Sequence, residues 1–221
     1  VLREIGLPAT LFLIAGTLTG GVFWRERVRA LIRHGLVDCF LARHGDAFPA
    51  LTTRHLYRES KAPGLNTAAL DSALASFLAG QGIDPAAERP LATDPAALPQ
   101  DPGLATGNHS RSHYVASSLP PAAERAEVLA AQEILTPRGL DRSPFYAIPF
   151  GGDADYTRHT LDAAADAGYR GVLLTRGRGN TGAPGRVATS NGRRLTAVDR
   201  ILPAPDLAGF QSQVADAARI G

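Results

Sequence analysis

From residue 104 to residue 175 the chain alternates short apolar segments with amphipathic ones, and this order constrains its fold more than any other feature. Leu104–Asn108 and residues 145–149 and 172–175 read as short strands. Residues 120–135 and 155–167 read as helices, the first with proline in its opening turn and the second closed by Gly168. Strand followed by helix, repeated, predicts an α/β fold with a parallel sheet. Upstream, residues 9–15 form a continuous apolar run between Pro8 and Gly16, the pattern of a strand buried on both faces.

The block between these regions breaks the rhythm. Residues 24–34 carry Trp24, Val28, Leu31 and Ile32 at helical spacing and end at Gly35. Residues 66–79 form a second helix, capped by Asn66 or Thr67, with Leu70, Leu74, Phe77 and Leu78 on one face. Residues 84–101, rich in proline, alanine and aspartate, read as an irregular connection. The expected organisation is one domain over residues 1–221. Residues 21–103 form a largely helical insertion, and residues 104–205 form the core with the chemical motif.

Composition narrows the function classes. With 44% hydrophobic and 20% charged residues, the chain is neither disordered nor collagen-like. No apolar run reaches the roughly 18 residues of a membrane-spanning helix. Lys61 is the only lysine among 23 basic residues, and the net charge is only +2. The best basic cluster, Arg25, Arg27 and Arg29, has the spacing of one solvated helix face, so no nucleic-acid partner is expected. The lone Cys39 excludes an internal disulfide framework and a cysteine-rich zinc site. The chain has no methionine and begins at Val1, so the expectation is that an N-terminal segment precedes it.

The most informative segment is Gly107-Asn108-His109-Ser110-Arg111-Ser112-His113. Two histidines lie four apart just after a strand end, where α/β sheets gather their ligand sites. On a helical turn, positions i and i+4 are roughly 5–6 Å apart between Cβ atoms, close enough to share one metal ion. Imidazole suits zinc, iron, cobalt or nickel. Taken bare, the pair also fits two surface histidines. The tight polar turn at Gly107-Asn108 and the amphipathic helix that follows favour the metal.

Asn108-His109-Ser110 with His113 resembles the second motif of polysaccharide deacetylases, the NodB-homology group of carbohydrate esterase family four. Other segments match in order: residues 7–13 the family's "PAT" strand, Phe145-Tyr146-Ala147-Ile148-Pro149-Phe150-Gly151 its third motif, Ala167-Gly168-Tyr169 its "aGY", and residues 199–203 its closing strand. The resemblance implies a distorted (β/α) barrel and a metal-dependent hydrolase removing N- or O-acetyl groups from a polysaccharide or amino sugar. It places a divalent metal, zinc, on His109 and His113. It gives the Phe150 backbone N–H as oxyanion donor and Pro149, Gly151 and Tyr146 as substrate contacts. The metal would bring a water's pKa to about 7 and polarise the acetyl carbonyl.

The pattern also departs from the family. Its Asp-Asp motif, catalytic base and third metal ligand, normally lies a strand and a helix before the "PAT" strand, and Pro8 leaves no room for either. Both aspartates are therefore expected upstream of Val1. Ala147 stands where the family often has arginine, and a late histidine has no counterpart; Arg200, in that strand region, reads as structural. His159 reads as solvent-facing, and Asp153 and Asp155 as caps of the next helix. Two further readings keep the fold: an inactive carbohydrate-binding scaffold, and an amidohydrolase acting on a small molecule. The partner expected is a carbohydrate; oligomeric state and compartment stay open.

Overall fold

The first apolar run forms strand β1, Ala9–Leu13, two residues shorter than expected. In the computed structural model, which describes residues 4, 6–88, 94, 96, 98, 101–177, 180, 185–201, 206, 209 and 212, β1 pairs in parallel with β2, Leu104–Asn108. The register runs from Ala9 opposite Leu104 to Leu13 opposite Asn108. The expectation of burial on both faces fails: Leu11 is 40% exposed, because among the described residues β1 has one strand neighbour and nothing covers its outer face. After Leu13 the chain turns into a 3-10 segment, Ala15–Thr19.

A second sheet has the order β3, β4, β6, β5, from strands Phe145–Ala147, Gly171–Leu174, Arg194–Asp199 and Gly185–Ala188. The first three are parallel and β5 is antiparallel to β6. β3 ends two residues early because Pro149 has no N–H to donate. The two sheets are joined where Arg142 and Ser143 N–H both donate to Thr106 C=O, at 3.0 and 2.9 Å. The mixed α/β class expected from the sequence is present. The distorted barrel that the resemblance implies is not confirmed: the described strands form a two-stranded and a four-stranded sheet. The closing-strand motif starts at Asp199, the last residue of β6, and runs past it; its Leu202 and Pro203 fall outside the described residues.

The α-helices among the described residues before residue 200 are α1 Trp24–Arg33, α2 Val37–His44, α3 Leu56–Glu59, α4 Thr67–Gly80, α5 Pro85–Glu88, α6 Pro121–Leu135 and α7 Arg158–Asp166. The first four bury their own core, including Trp24, Val28, Leu31, Phe40, Leu70, Leu74 and Leu78. Tyr114 and Phe150 pack against that core, so the helical block forms a wall beside the β2 and β3 strand ends. Ile32, expected on the buried face of α1, is 43% exposed. Asn66 caps α4, its Oδ1 accepting the Ala69 N–H at 3.0 Å. No helix among the described residues is long and apolar enough to cross a membrane.

α6 and α7 cover the larger sheet, burying Val128, Tyr146, Leu161, Val172 and Leu174 between them. α7 begins at Arg158, not at Asp155, because Thr157 caps it. Asp155 instead closes the preceding turn by accepting the Gly152 N–H at 2.8 Å. Buried Glu124 of α6 accepts hydroxyl bonds from Thr157 at 2.8 Å and Thr160 at 2.5 Å. A carboxylate at the helix N-terminus is also favoured by the helix dipole. Removing it leaves one buried hydroxyl, Thr160, and one half-buried hydroxyl, Thr157, without that acceptor. Glu124→Ala is therefore expected to lower unfolding free energy by about 2–4 kcal/mol, read from urea denaturation, with the denaturant slope unchanged.

Candidate functional site

The site is built from the end of β2. Asn108 is fully buried; its Nδ2 donates to Val128 C=O at 3.1 Å and to Tyr169 Oη at 2.9 Å. Its Oδ1 accepts the Ser110 N–H at 2.8 Å and starts a tight loop. Gly107 precedes it because a Cβ there would lie 2.7 Å from both Phe12 Cε1 and Ser143 Cβ. His109 N–H still donates to Leu13 C=O at 2.9 Å, extending the ladder by one residue. His113 N–H then donates to Ser110 Oγ at 2.8 Å.

The two histidines do come together, but not on a helical turn. Residues 109–115 form no helix, and Ser110 and His113 adopt φ of 64° and 60°. The loop folds back so that the imidazole centroids lie 4.6 Å apart, edge to face. His109 Nδ1 is 2.7 Å from Ala147 C=O. A carbonyl can only accept, so Nδ1 carries the proton and Nε2 keeps its lone pair in the neutral ring. His113 Nδ1 is buried without a hydrogen-bond partner among the described residues. Phe23 and Phe150 edge against the His113 ring at centroid distances of 5.4 and 4.8 Å. Trp24 Nε1–H donates to His113 C=O at 2.9 Å.

Burial holds both imidazoles in the neutral form that metal coordination requires. It pushes His109 down to about 4, against the Ala147 hydrogen bond. It pushes His113 down to about 3, with His109 and Arg200 adding in the same direction. Two neutral imidazoles this close, one with its Nδ1 proton committed to a carbonyl and the other with an orphaned ring nitrogen, fit two positions of a metal site. A third protein donor is not in place: the described residues contain no group of three His, Cys, Asp or Glu side chains arranged for a metal.

The third-motif turn faces this pair. Gly151 N–H donates back to Pro149 C=O at 2.6 Å, closing a γ-turn with Phe150 at φ 60°. The Phe150 N–H has no partner among the described residues, whereas Thr175 N–H donates to Gly151 C=O at 2.8 Å. Arg200 holds the turn from beneath: its Nη2 donates to Ile148 C=O at 2.9 Å. Gly151 sits at φ 81°, and a Cβ there would lie 2.9 Å from Arg200 Nη2 and 3.0 Å from Thr175 N. Lys61 Nζ lies 5.7 Å from the Phe150 ring centroid.

Other sequence expectations fare differently. Tyr146, expected to contact substrate, is 1% exposed and packs in the core, 5.9 Å from the Tyr169 ring. Its strand neighbour Ala147 instead meets the site through its backbone carbonyl, which lies in the plane of the sheet and reaches His109 Nδ1 across the strand end. Pro149 and Gly151 are buried within the turn. Asp153 is exposed and within 3.9 Å of Arg176, and His159 is exposed. Sequence reasoning missed Trp24, Phe23 and Lys61, which enter from the helical block; no local pattern marks contacts across such separations. Arg200, read as structural, carries that role and also bears electrostatically on both histidines.

An α/β scaffold with a histidine pair and a strained turn at neighbouring strand ends is thus the class of site present. Residues 77–172, which include His109, His113 and the Pro149–Gly151 turn, match the family model described as polysaccharide deacetylase. That family consists of hydrolases acting on acetyl groups. No curated protein and no solved structure matches the chain.

Two outcomes test this geometry. Unfolded histidine titrates near 6.5, while the folded pair stays neutral down to about 4 and 3. As pH falls from 6.5 towards 4, the unfolded chain gains protons that the fold does not, so stability declines, by at most ~1.4 kcal/mol per pH unit per histidine. The double variant His109→Ala/His113→Ala is expected to flatten that decline in metal-free urea titrations at pH 7, 5.5 and 4.5. Gly151→Ala is expected to cost about 1–3 kcal/mol, from strain at positive φ and the clash with Arg200, read as a lower urea midpoint.

Proposed function

We propose that the protein is a metal-dependent deacetylase acting on an acetylated carbohydrate, with His109 and His113 as two ligands of a divalent ion, zinc. The observation that carries the reading is the pair of neutral imidazoles 4.6 Å apart beside a turn whose Phe150 N–H has no partner among the described residues. The family match over residues 77–172 supports it. When bound, the ion supplies Lewis acidity for the acetyl carbonyl and for water.

The chain's own groups do the rest. The Ala147 carbonyl fixes the His109 tautomer and its ring orientation, as an outer-shell partner does in metal sites. Phe150 N–H donates to the oxyanion that develops as the acetyl carbon becomes tetrahedral, a contact stronger in the transition state than in the ground state. Arg200 and Gly151 keep that N–H in position, since the one braces Ile148 C=O and the other leaves space for the guanidinium. The distorted barrel expected of the family is part of this proposal.

The test is metal content and acetate release from acetylated amino-sugar oligomers, using the protein as expressed from its own gene. His109→Ala and His113→Ala are each expected to weaken zinc binding more than about 100-fold, beyond the 10–100-fold typical of outer-shell changes, and to abolish acetate release. Unchanged zinc content in both variants would sink the ligand assignment. Zinc binding without acetate release from any acetylated sugar would sink the activity.

A further inference from the structure

We infer that Trp24, at the start of α1, is the positioning residue that fixes His113 in its pose beside His109. The inference rests on the metal-site reading only for its consequence in metal affinity; the pose itself is a property of the metal-free fold.

His113 occupies φ 60°, a region sparsely populated by residues with a Cβ. Such a conformation persists only where neighbours over-determine it. Both peptide groups flanking its Cα are pinned. On one side the His113 N–H donates to Ser110 Oγ at 2.8 Å. On the other side the His113 C=O accepts the Trp24 indole N–H at 2.9 Å. With both peptide planes held, the direction of the Cα–Cβ bond is set, and with it the ring's approach to His109. Phe23, the residue before Trp24, edges against the same ring at 5.4 Å. One dipeptide therefore grips the histidine's ring and its backbone together.

Ser110 is local to the loop, but Trp24 is 89 residues away in sequence and belongs to another core. Trp24 is fully buried among Val28, Leu31 and the α4 side chains, so its indole cannot swing to follow a drifting loop. A buried indole N–H needs an acceptor. A carbonyl within the helical core would serve stability equally well; the acceptor here is the backbone of a candidate metal ligand. The helical block thereby sets the geometry of the site without contributing a donor to it.

Trp24→Phe removes the N–H and keeps an aromatic ring. The chain has one tryptophan, so biosynthetic replacement by benzothienylalanine, which has sulfur in place of the N–H, deletes the same donor with nearly the same shape and serves if the phenylalanine variant fails to fold. The first readout is the imidazole and backbone NMR resonances of the metal-free protein. The His113 signals are expected to shift or broaden while exposed His159 stays unchanged and the thermal midpoint moves little. The second is zinc affinity by calorimetry, expected to fall about 10–100-fold, the range for outer-shell partners, with His113→Ala as the reference for loss of the ligand. Unchanged His113 resonances overturn the inference whatever the zinc result. Shifted resonances with zinc affinity equal to wild type confine Trp24 to the pose and overturn its effect on the metal. Zinc binding indifferent to His113→Ala overturns the metal reading instead, and the NMR result still decides the positioning.

Discussion

The Asn108 carboxamide is the interaction on which the strand-end geometry depends. It donates twice, to Val128 C=O on α6 and to the Tyr169 hydroxyl, and accepts from Ser110 N–H. Strand, helix and site loop thus meet at one fully buried side chain. Tyr169 passes the connection onward by donating to Asp141 at 2.6 Å. Both ends of the Asn108 amide have partners, which matters because an orphaned buried amide costs its whole desolvation penalty. Aspartate in place of Asn108 would keep the acceptor but lose both donors. The amide is therefore chemically specified at this position, apart from any contact with substrate.

Around that anchor the electrostatics favour a neutral histidine pair. Arg200 bears on both imidazoles, and Arg25 on His113, in each case adding to burial in resisting protonation. Arg25 is itself buried, stacked 3.8 Å over the Tyr57 ring and donating to Ser60 Oγ at 2.7 Å, so its charge is a fixed part of the helical wall. A protonated imidazole repels a cation and has no lone pair to give. Guanidiniums beside the pair thus keep both rings competent as donors at neutral pH, at the cost of a field that disfavours a cation. An anionic group near the pair would relieve that field.

Much of the fold was legible because it is written in local periodicity. The α4 stripe of Leu70, Leu74, Phe77 and Leu78 and its Asn66 cap need only nearest neighbours along the helix, and both are present as expected. β2 matches its expected bounds for the same reason. What failed was decided by distant partners. Leu11 reads as core from its apolar run, yet its exposure depends on what lies beside β1. Tyr146 reads as a site residue from its place before Pro149, yet strand alternation turns it into the core beneath α6 and α7. His109 and His113 were identified correctly as a close pair for a geometric reason that did not hold: a loop with two left-handed residues brings them together, where spacing suggested a helix.

The location of strain ties these points together. The non-glycine residues at positive φ among those described are Ser110, His113 and Phe150. Two are in the histidine loop and the third is in the facing turn, its ring 4.8 Å from that of His113. Each such conformation costs on the order of 1–3 kcal/mol, so together they draw on a considerable share of the roughly 5–15 kcal/mol that holds a typical domain folded. Glycine would adopt the same backbone at far lower cost, as it does at Gly139 and Gly168 in this chain. At Ser110 the side chain is used, since its Oγ accepts the His113 N–H. At His113 the imidazole is one half of the buried histidine pair. At Phe150 the ring walls the histidine while the backbone N–H has no partner among the described residues. Strain is thus concentrated where side-chain identity matters, and the neighbouring bonds from Asn108, Trp24 and Arg200 offset it. Conformations of this cost persist only where their surroundings over-determine them, and those three contacts supply that over-determination around the histidine pair.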